Sequence, residues 1–473
     1  MQKTIRKIAA SAVALLMLGA GVSCSSTGSM QTSQSEEPSA VSGTENGGGN
    51  DGSADDTVIT MATIGEVSRS VQKVINEFNE TDNGYTIVVK DYKEDYTGEL
   101  DSNGAFVDEI GYNSVAMQLV LDLSRDGGVD LVSGGFEQFD NLARQGAFTD
   151  LYQFMNDDPE VNRTTLNENV LKLFEKDGKL FSVPIFYIVN TLGGPAKYVG
   201  DKENWTVDDM IAHWEQMPEG ATISGHTEKN YVYMTVLRQN LSAFYDFDTA
   251  SASFDSPDFI RLLDFCNSFD AVSYDKPPID YNNPEFLSYF ALSGFSKFHL
   301  FMWQATKNGT EPFTLVGYPS EDGNGSFISA SMRSFGICSY SDPEVQEGAW
   351  QFVRMFMTEE FCNEGDGFPI NNSAFENSAL EELSHEGEPN IISMGGEEYD
   401  VGYLTQEEYE LAISVINGIS RAESSSIVDD PLWEIINGEI DKLFDGTQNA
   451  ETTAEMIQNR ALIMLSEKQY KED

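Results

Sequence analysis

Basic residues are scarce in this chain: 28 Lys and Arg stand against 78 Asp and Glu, a formal net charge of −50 at pH 7. A chain this acidic repels nucleic-acid phosphates, which excludes nucleic acid as a partner. The acids are scattered along the whole length, which reads as a solvated surface rather than a cation site. Cysteine is also sparse, with four residues at Cys24, Cys266, Cys338 and Cys362 and no C-x-x-C spacing. The fold therefore rests on no disulfide framework, and the spacing singles out no bridging pair among Cys266, Cys338 and Cys362. The four histidines, His213, His226, His299 and His385, are widely separated and form no H-E-x-x-H pattern. Asp246-x-Asp248 lacks the glycine and the terminal glutamate of a calcium loop, and Asp101-x-Asn103 has Phe106 where such a loop needs glycine. No metal and no cofactor are expected. A P-loop and a G-x-S-x-G elbow are missing too, which weighs against those enzyme classes.

What is present begins at the amino terminus. Lys3, Arg6 and Lys7 form a basic head, and an uncharged, mostly apolar run follows from Ile8 to Val22. The run is shorter than the ~20 residues a membrane-spanning helix needs, so residues 1–23 read as a secretory signal peptide. Cys24, directly after Gly21-Val22-Ser23, resembles the lipid-attachment cysteine of bacterial lipoproteins, although Gly21 stands where leucine is usual. The resemblance implies a lipid on Cys24 and a protein held at the outer face of the cell membrane. Residues 24–56 are rich in Ser, Thr, Gly, Glu and Asp. They bury too little apolar surface to offset ordering entropy and read as a flexible tether.

The folded body, from Thr57 onward, is too long for one small core and suggests at least two lobes. Val58–Ile64 and Thr86–Val89 read as strands, and Val67–Phe78 shows helical spacing. A helix over Val115–Leu123 and a strand over Val129–Val132 complete a β-α-β-α-β alternation. Such alternation favours a largely parallel sheet, which binds ligands at the carboxyl ends of its strands. Leu180–Val189 is strand-like, with Pro184 marking an edge or a crossing. Thr206 is placed to cap a helix with Asp209 three residues on. Tyr245–Phe254 reads as a hairpin, Ser256-Pro257 opens a helix, and Phe298–Trp303 and Ser334–Cys338 read as short strands. Helices are expected over Tyr231–Phe244, Pro343–Met357, Glu407–Ile416, Pro431–Phe444 and Thr452–Leu465.

Several segments then converge. GVDLVSGGFEQFDNLARQGAFTDL (128–151), KLFSVPIFY (179–187), NWTVDDM (204–210), GYPSEDGNG (317–325), SFGICSYSDPEVQEGAWQFVRMFM (334–357) and FPINNSAF (368–375) come in order. With these and the helical end from Asp429, the chain resembles the extracellular solute-binding proteins of sugar-type ABC importers, closest to Gram-positive lipoproteins. The resemblance implies an α/β, two-lobe, periplasmic-binding-protein-like fold of type II, with a ligand cleft between lobes joined by hinge segments. It assigns 57–186 plus 300–336 to the first lobe and 190–298 plus 337–473 to the second, with crossings near Pro184, Phe298 and Phe335. It implies a monomer that captures a mono- or oligosaccharide and hands it to the permease subunits of an ABC transporter, with no catalysis.

Sugar sites combine aromatic rings, which stack on apolar sugar faces, with carboxylates and amides that accept hydroxyl hydrogens. The resemblance places Glu66, Phe136, Glu137, Tyr187 and Trp303 at such a site. Trp303 aligns with a sugar-stacking tryptophan, whereas Trp205, Trp214, Trp350 and Trp433 sit in helix-like patterns and read as anchors. Peptide, amino-sugar and polyol ligands remain open. The alternative is a secreted glycoside hydrolase with paired carboxylates, although acids are so abundant here that pairs carry no weight. An adhesin would show repeated modules or a wall-sorting tail, and neither is seen.

Overall fold

The computed structural model describes residues 56–100, 106, 109–123, 128–133, 142–143, 145–201, 205–246, 249–272, 283–307, 310–320, 325–330, 334–363, 367–394, 397–423 and 431–469. Its strands, in chain order, are β1 (Thr57–Thr63), β2 (Tyr85–Asp91), β3 (Leu131–Ser133), β4 (Phe186–Pro195), β5 (Thr222–Ile223), β6 (Tyr245–Asp246), β7 (Ser251–Ala252), β8 (Glu285–Leu292), β9 (Phe313–Leu315), β10 (Phe327–Ala330), β11 (Phe335–Ile337), β12 (Phe368–Pro369), β13 (Ile391–Met394), β14 (Glu397–Asp400) and β15 (Ala422–Glu423).

The first sheet has the order β11-β3-β1-β2. β1 runs parallel to both β2 and β3, and β11 closes the edge antiparallel to β3. The expected β-α-β-α-β unit is present. Helix Arg69–Glu80 forms because Val71, Val74, Ile75 and Phe78 recur on one face and Ser68 caps its start by accepting from the Val71 amide. Burying each of those side chains is worth about 1.5–3 kcal/mol. Helix Pro343–Met355 lies on the same side, where Gly348 lets it approach β1 and β2: a Cβ there would overlap the Tyr85 ring and reach within 2.8 Å of Ile59 Cδ1. The other side of the sheet packs Ala62, Val132, Val115, Leu119, Phe148 and Cys338 into a separate core.

The second sheet runs β15-β10-β4-β8-β5, with β9 and β12 also paired to β4. One side packs against helices Phe295–Ala305, Asn372–Ser384 and Gln406–Gly418 in a core that continues into the first sheet's helices. The other side packs against helices Lys229–Val236, Pro257–Asn267, Pro431–Phe444 and Ala450–Gln469. Glu439, fully buried on helix Pro431–Phe444, ties it to the last helix through Arg460 at 2.8 Å and also pairs with Lys442 of its own helix at 2.8 Å.

Several local expectations change. Phe298–Trp303 is not a strand but the middle of helix Phe295–Ala305, so no crossing occurs there. Apolar residues fill that run so densely that its period is ambiguous over six positions. β9 and β10, expected in the first lobe, pair with β4 of the second sheet. Residues 338–355, expected in the second lobe, lie on the first: Cys338 bridges to Phe148, and helix Pro343–Met355 covers β1. Strand pairing begins only at Phe186, past Pro184, and the helix from Lys229 ends at Val236 before a 3-10 segment Arg238–Phe244.

Candidate functional site

β1, β2 and β3 are parallel, so their carboxyl ends open on one edge of the first sheet. The turn after β1 is pinned there. Thr63 Oγ1 donates to the Gly65 carbonyl at 2.6 Å, and Gly65 adopts φ +100°, a conformation that favours glycine. Asp91 Oδ1 accepts from the Gly65 amide at 2.7 Å and from the Lys93 amide at 2.9 Å. One carboxylate thus ties the loops after β1 and β2 together and holds Glu66 exposed at the edge.

Beside this turn lies a group of half-buried rings. Tyr96 meets Phe106 edge-to-face with centroids 5.1 Å apart, and Phe106 meets Tyr112 at 5.8 Å. The Lys93 ammonium sits 5.4 Å from the Phe106 centroid. Gly111 leaves room for Tyr96, since a Cβ there would overlap the phenol where it lies. Behind them Lys90, Tyr92 and Asp122 interlock at 2.8–3.0 Å. Burial, partly countered by Lys90, pushes the Tyr92 phenol up to about 12. The edge therefore presents a carboxylate, an ammonium and aromatic faces, the set that sugar hydroxyls and sugar C–H faces engage.

The connections between the sheets lie next. The chain enters the second sheet at Phe186, returns to the first between Ala330 and Phe335, and rejoins the second at Phe368. Tyr187 pairs with both Ala330 and Phe368 at this junction. It is fully buried and its ring stacks on Phe368 at 5.6 Å. Burial raises its phenol pKa. Just beyond, Tyr289 donates to Asn190 Oδ1 at 2.6 Å and Asn190 donates to Ser329 Oγ at 2.9 Å, a polar row across β8, β4 and β10.

Of the residues singled out in the sequence, Glu66 lies at the sheet edge. Tyr187 lies inside the junction. Trp303 lies half-buried on helix Phe295–Ala305, edge-to-face with Tyr399 of β14 at 5.9 Å, so the strand end expected to present it does not exist. Phe136, Glu137 and Cys24 fall outside the described residues. Lys93, Tyr96, Phe106 and Tyr112 were missed. Their signal was present: aromatic residues in an otherwise polar segment directly after a predicted strand. Among the described residues no cluster of His, Cys, Asp and Glu could hold a metal, and no helix is long and apolar enough to cross a membrane.

No family model and no curated protein matches the chain. Solved structures do. The sugar-binding protein MalE from Xanthomonas citri aligns over 88% of this chain and 98% of its own, with TM-score 0.54 and 13% identity. The cyclic α-maltosyl-1,6-maltose binding protein from Arthrobacter globiformis aligns over 87% and 100%, with TM-score 0.51 and 14% identity. An extracellular solute-binding protein of family 1 from Alicyclobacillus acidocaldarius aligns over 87% and 99%, with TM-score 0.50 and 12% identity. At these identities the likeness defines the fold: this chain has the two-lobe α/β architecture of the ABC-importer solute-binding proteins.

Proposed function

We propose that the protein is an extracellular substrate-binding lipoprotein of an ABC importer that captures a mono- or oligosaccharide by lobe closure. The observation that carries this reading is the group Glu66, Lys93, Tyr96, Phe106 and Tyr112 at the carboxyl edge of a parallel sheet. Structural neighbours named for binding a cyclic maltosyl-maltose and for binding sugar support the substrate class. Rings stack on the sugar's apolar face while Glu66 accepts and Lys93 donates hydrogen bonds. The lobes rotate about the junction that surrounds Tyr187, which acts through packing there rather than by touching the solute. Lipid on Cys24 and the tether keep the closed complex beside the permease. The reaction is binding and release, with no bond made or broken.

The test is a thermal-shift screen of the protein against neutral and acidic sugars, followed by product analysis. A ligand that binds only the folded state raises the melting temperature. A shift with a sugar that is recovered unchanged supports the reading. A shift with peptides alone overturns the substrate class, and sugar cleavage favours the glycoside hydrolase.

A further inference from the structure

Arg238 is 5% exposed, yet its contacts in the described structure are the Met234 sulfur at 3.3 Å and the Trp433 indole, 4.4 Å from the guanidinium carbon. A thioether is a weak acceptor, and a ring face offsets only part of the desolvation of a buried charge. Four other arginines set a contrast. Arg163, Arg261, Arg354 and Arg460 each meet a carboxylate. In a chain with 78 acidic residues, a buried guanidinium without one among the described residues is an exception in composition as well as in energy. Burial lowers its pKa, and the Tyr233 phenol counters this only in part.

The surroundings suit a ligand. Trp433 is half-buried and lies parallel to Tyr233, with centroids 6.3 Å apart and an interplanar angle of 4°. It stands in the first turn of helix Pro431–Phe444. Upstream, β15 brings the chain alongside β10, where Glu423 registers with Ser329 of the polar row next to the junction. Arg238 opens the 3-10 segment whose Asn240 donates to the Pro319 carbonyl at 2.9 Å and accepts from Arg421 at 3.1 Å. The guanidinium is thus fixed by its backbone and its ring contact, with its acid position unfilled by any described residue.

We infer that Arg238 and Trp433 form an anion subsite, and that the solute is an acidic carbohydrate: a sugar carrying a carboxylate, sulfate or phosphate. This rests on the receptor reading above. The ligand's anion accepts the paired N–H groups of Arg238 while its ring lies beside the indole, a geometry that lysine could not reproduce.

The test measures affinity of the full mature chain for glucuronate, galacturonate, and sulfated and phosphorylated sugars, against glucose and galactose. The wild type should prefer an acidic sugar at least tenfold over its neutral parent. Arg238→Gln and Arg238→Met should lose that preference while melting no lower than the wild type without ligand, because they remove a buried charge lacking a protein acid. Preference for neutral sugars, or an acidic preference that survives both variants, overturns the inference and leaves the receptor reading standing. A melting temperature that falls in both variants also overturns it. Such a fall would mean that the guanidinium already has a partner within the protein. Binding of no sugar at all removes the receptor reading first and this inference with it.

Discussion

On the proposed reading, sugar capture depends most directly on Tyr96 and Phe106. Their rings support each other edge-to-face, and the Lys93 ammonium sits over one of them. Replacing Tyr96 with alanine removes one stacking face and loosens the other. The expected loss in sugar affinity is about tenfold or more, ~1.4 kcal/mol, by calorimetric titration. Unchanged affinity would place the solute elsewhere. His299 sets a pH dependence of stability. Both ring nitrogens face acceptors: Nδ1 meets Glu408 Oε2 at 2.8 Å and Nε2 meets the Val401 carbonyl at 2.7 Å. Glu408 raises the imidazole pKa from 6.5 against the opposing effect of burial, and Glu382 adds to the attraction. A raised folded-state value means that the pair's stabilisation is complete below 6.5 and is lost as pH rises through the folded value. The melting temperature should therefore fall from pH 6 toward pH 9, and His299→Gln should flatten that slope. An unchanged slope in the variant would remove His299 as its cause.

Among the elements, helix Pro343–Met355 shows how packing overrides propensity. Gly348 costs about 1 kcal/mol against alanine in a helix interior. It stands there because any Cβ would collide with Tyr85 and Ile59. Gly348→Ala should consequently destabilise the protein by about 1–3 kcal/mol in denaturant titration, despite its better propensity. A gain in stability would mean that the Tyr85 ring can swing aside. The same helix explains where the sequence was legible. Its apolar spacing and the Pro343 start marked it, as Thr206 and Asp209 marked the capping box of helix Val207–Trp214. Local signals of this kind need no tertiary knowledge. Helix Phe295–Ala305 was hidden in the run Phe298–Trp303, where Phe301 also packs on the core; only with Phe295 included does the 295, 298, 299, 302 spacing of a helix show. The lobe to which residues 338–355 belong was equally hidden, since β11 pairs with a strand some two hundred positions earlier. The site was legible only in part for that reason. Glu66 follows its strand directly, whereas Tyr96 and Phe106 become neighbours only in the folded chain, which no periodicity records.

The described residues build two large sheets joined where Tyr187 meets Ala330 and Phe368, with one core running past the junction and two small two-stranded sheets besides. Such an arrangement allows rotation of one lobe against the other while the crossing strands stay paired. A bound solute should shift the population toward the closed form and reduce the radius of gyration in small-angle scattering. The acidic surface sets a further constraint. At a net charge of −50, an anionic solute is repelled at long range and is favoured only at close quarters. Raising the salt concentration should therefore speed its association, and slower association at high salt would argue for a cationic ligand.

The most direct measurement is calorimetric titration of the protein with the sugar that gives the largest thermal shift, with the recovered sugar analysed afterwards. The account expects one site per chain, saturable binding and sugar returned intact. Absence of saturable sugar binding by the folded protein, or sugar returned as cleaved products, would contradict it.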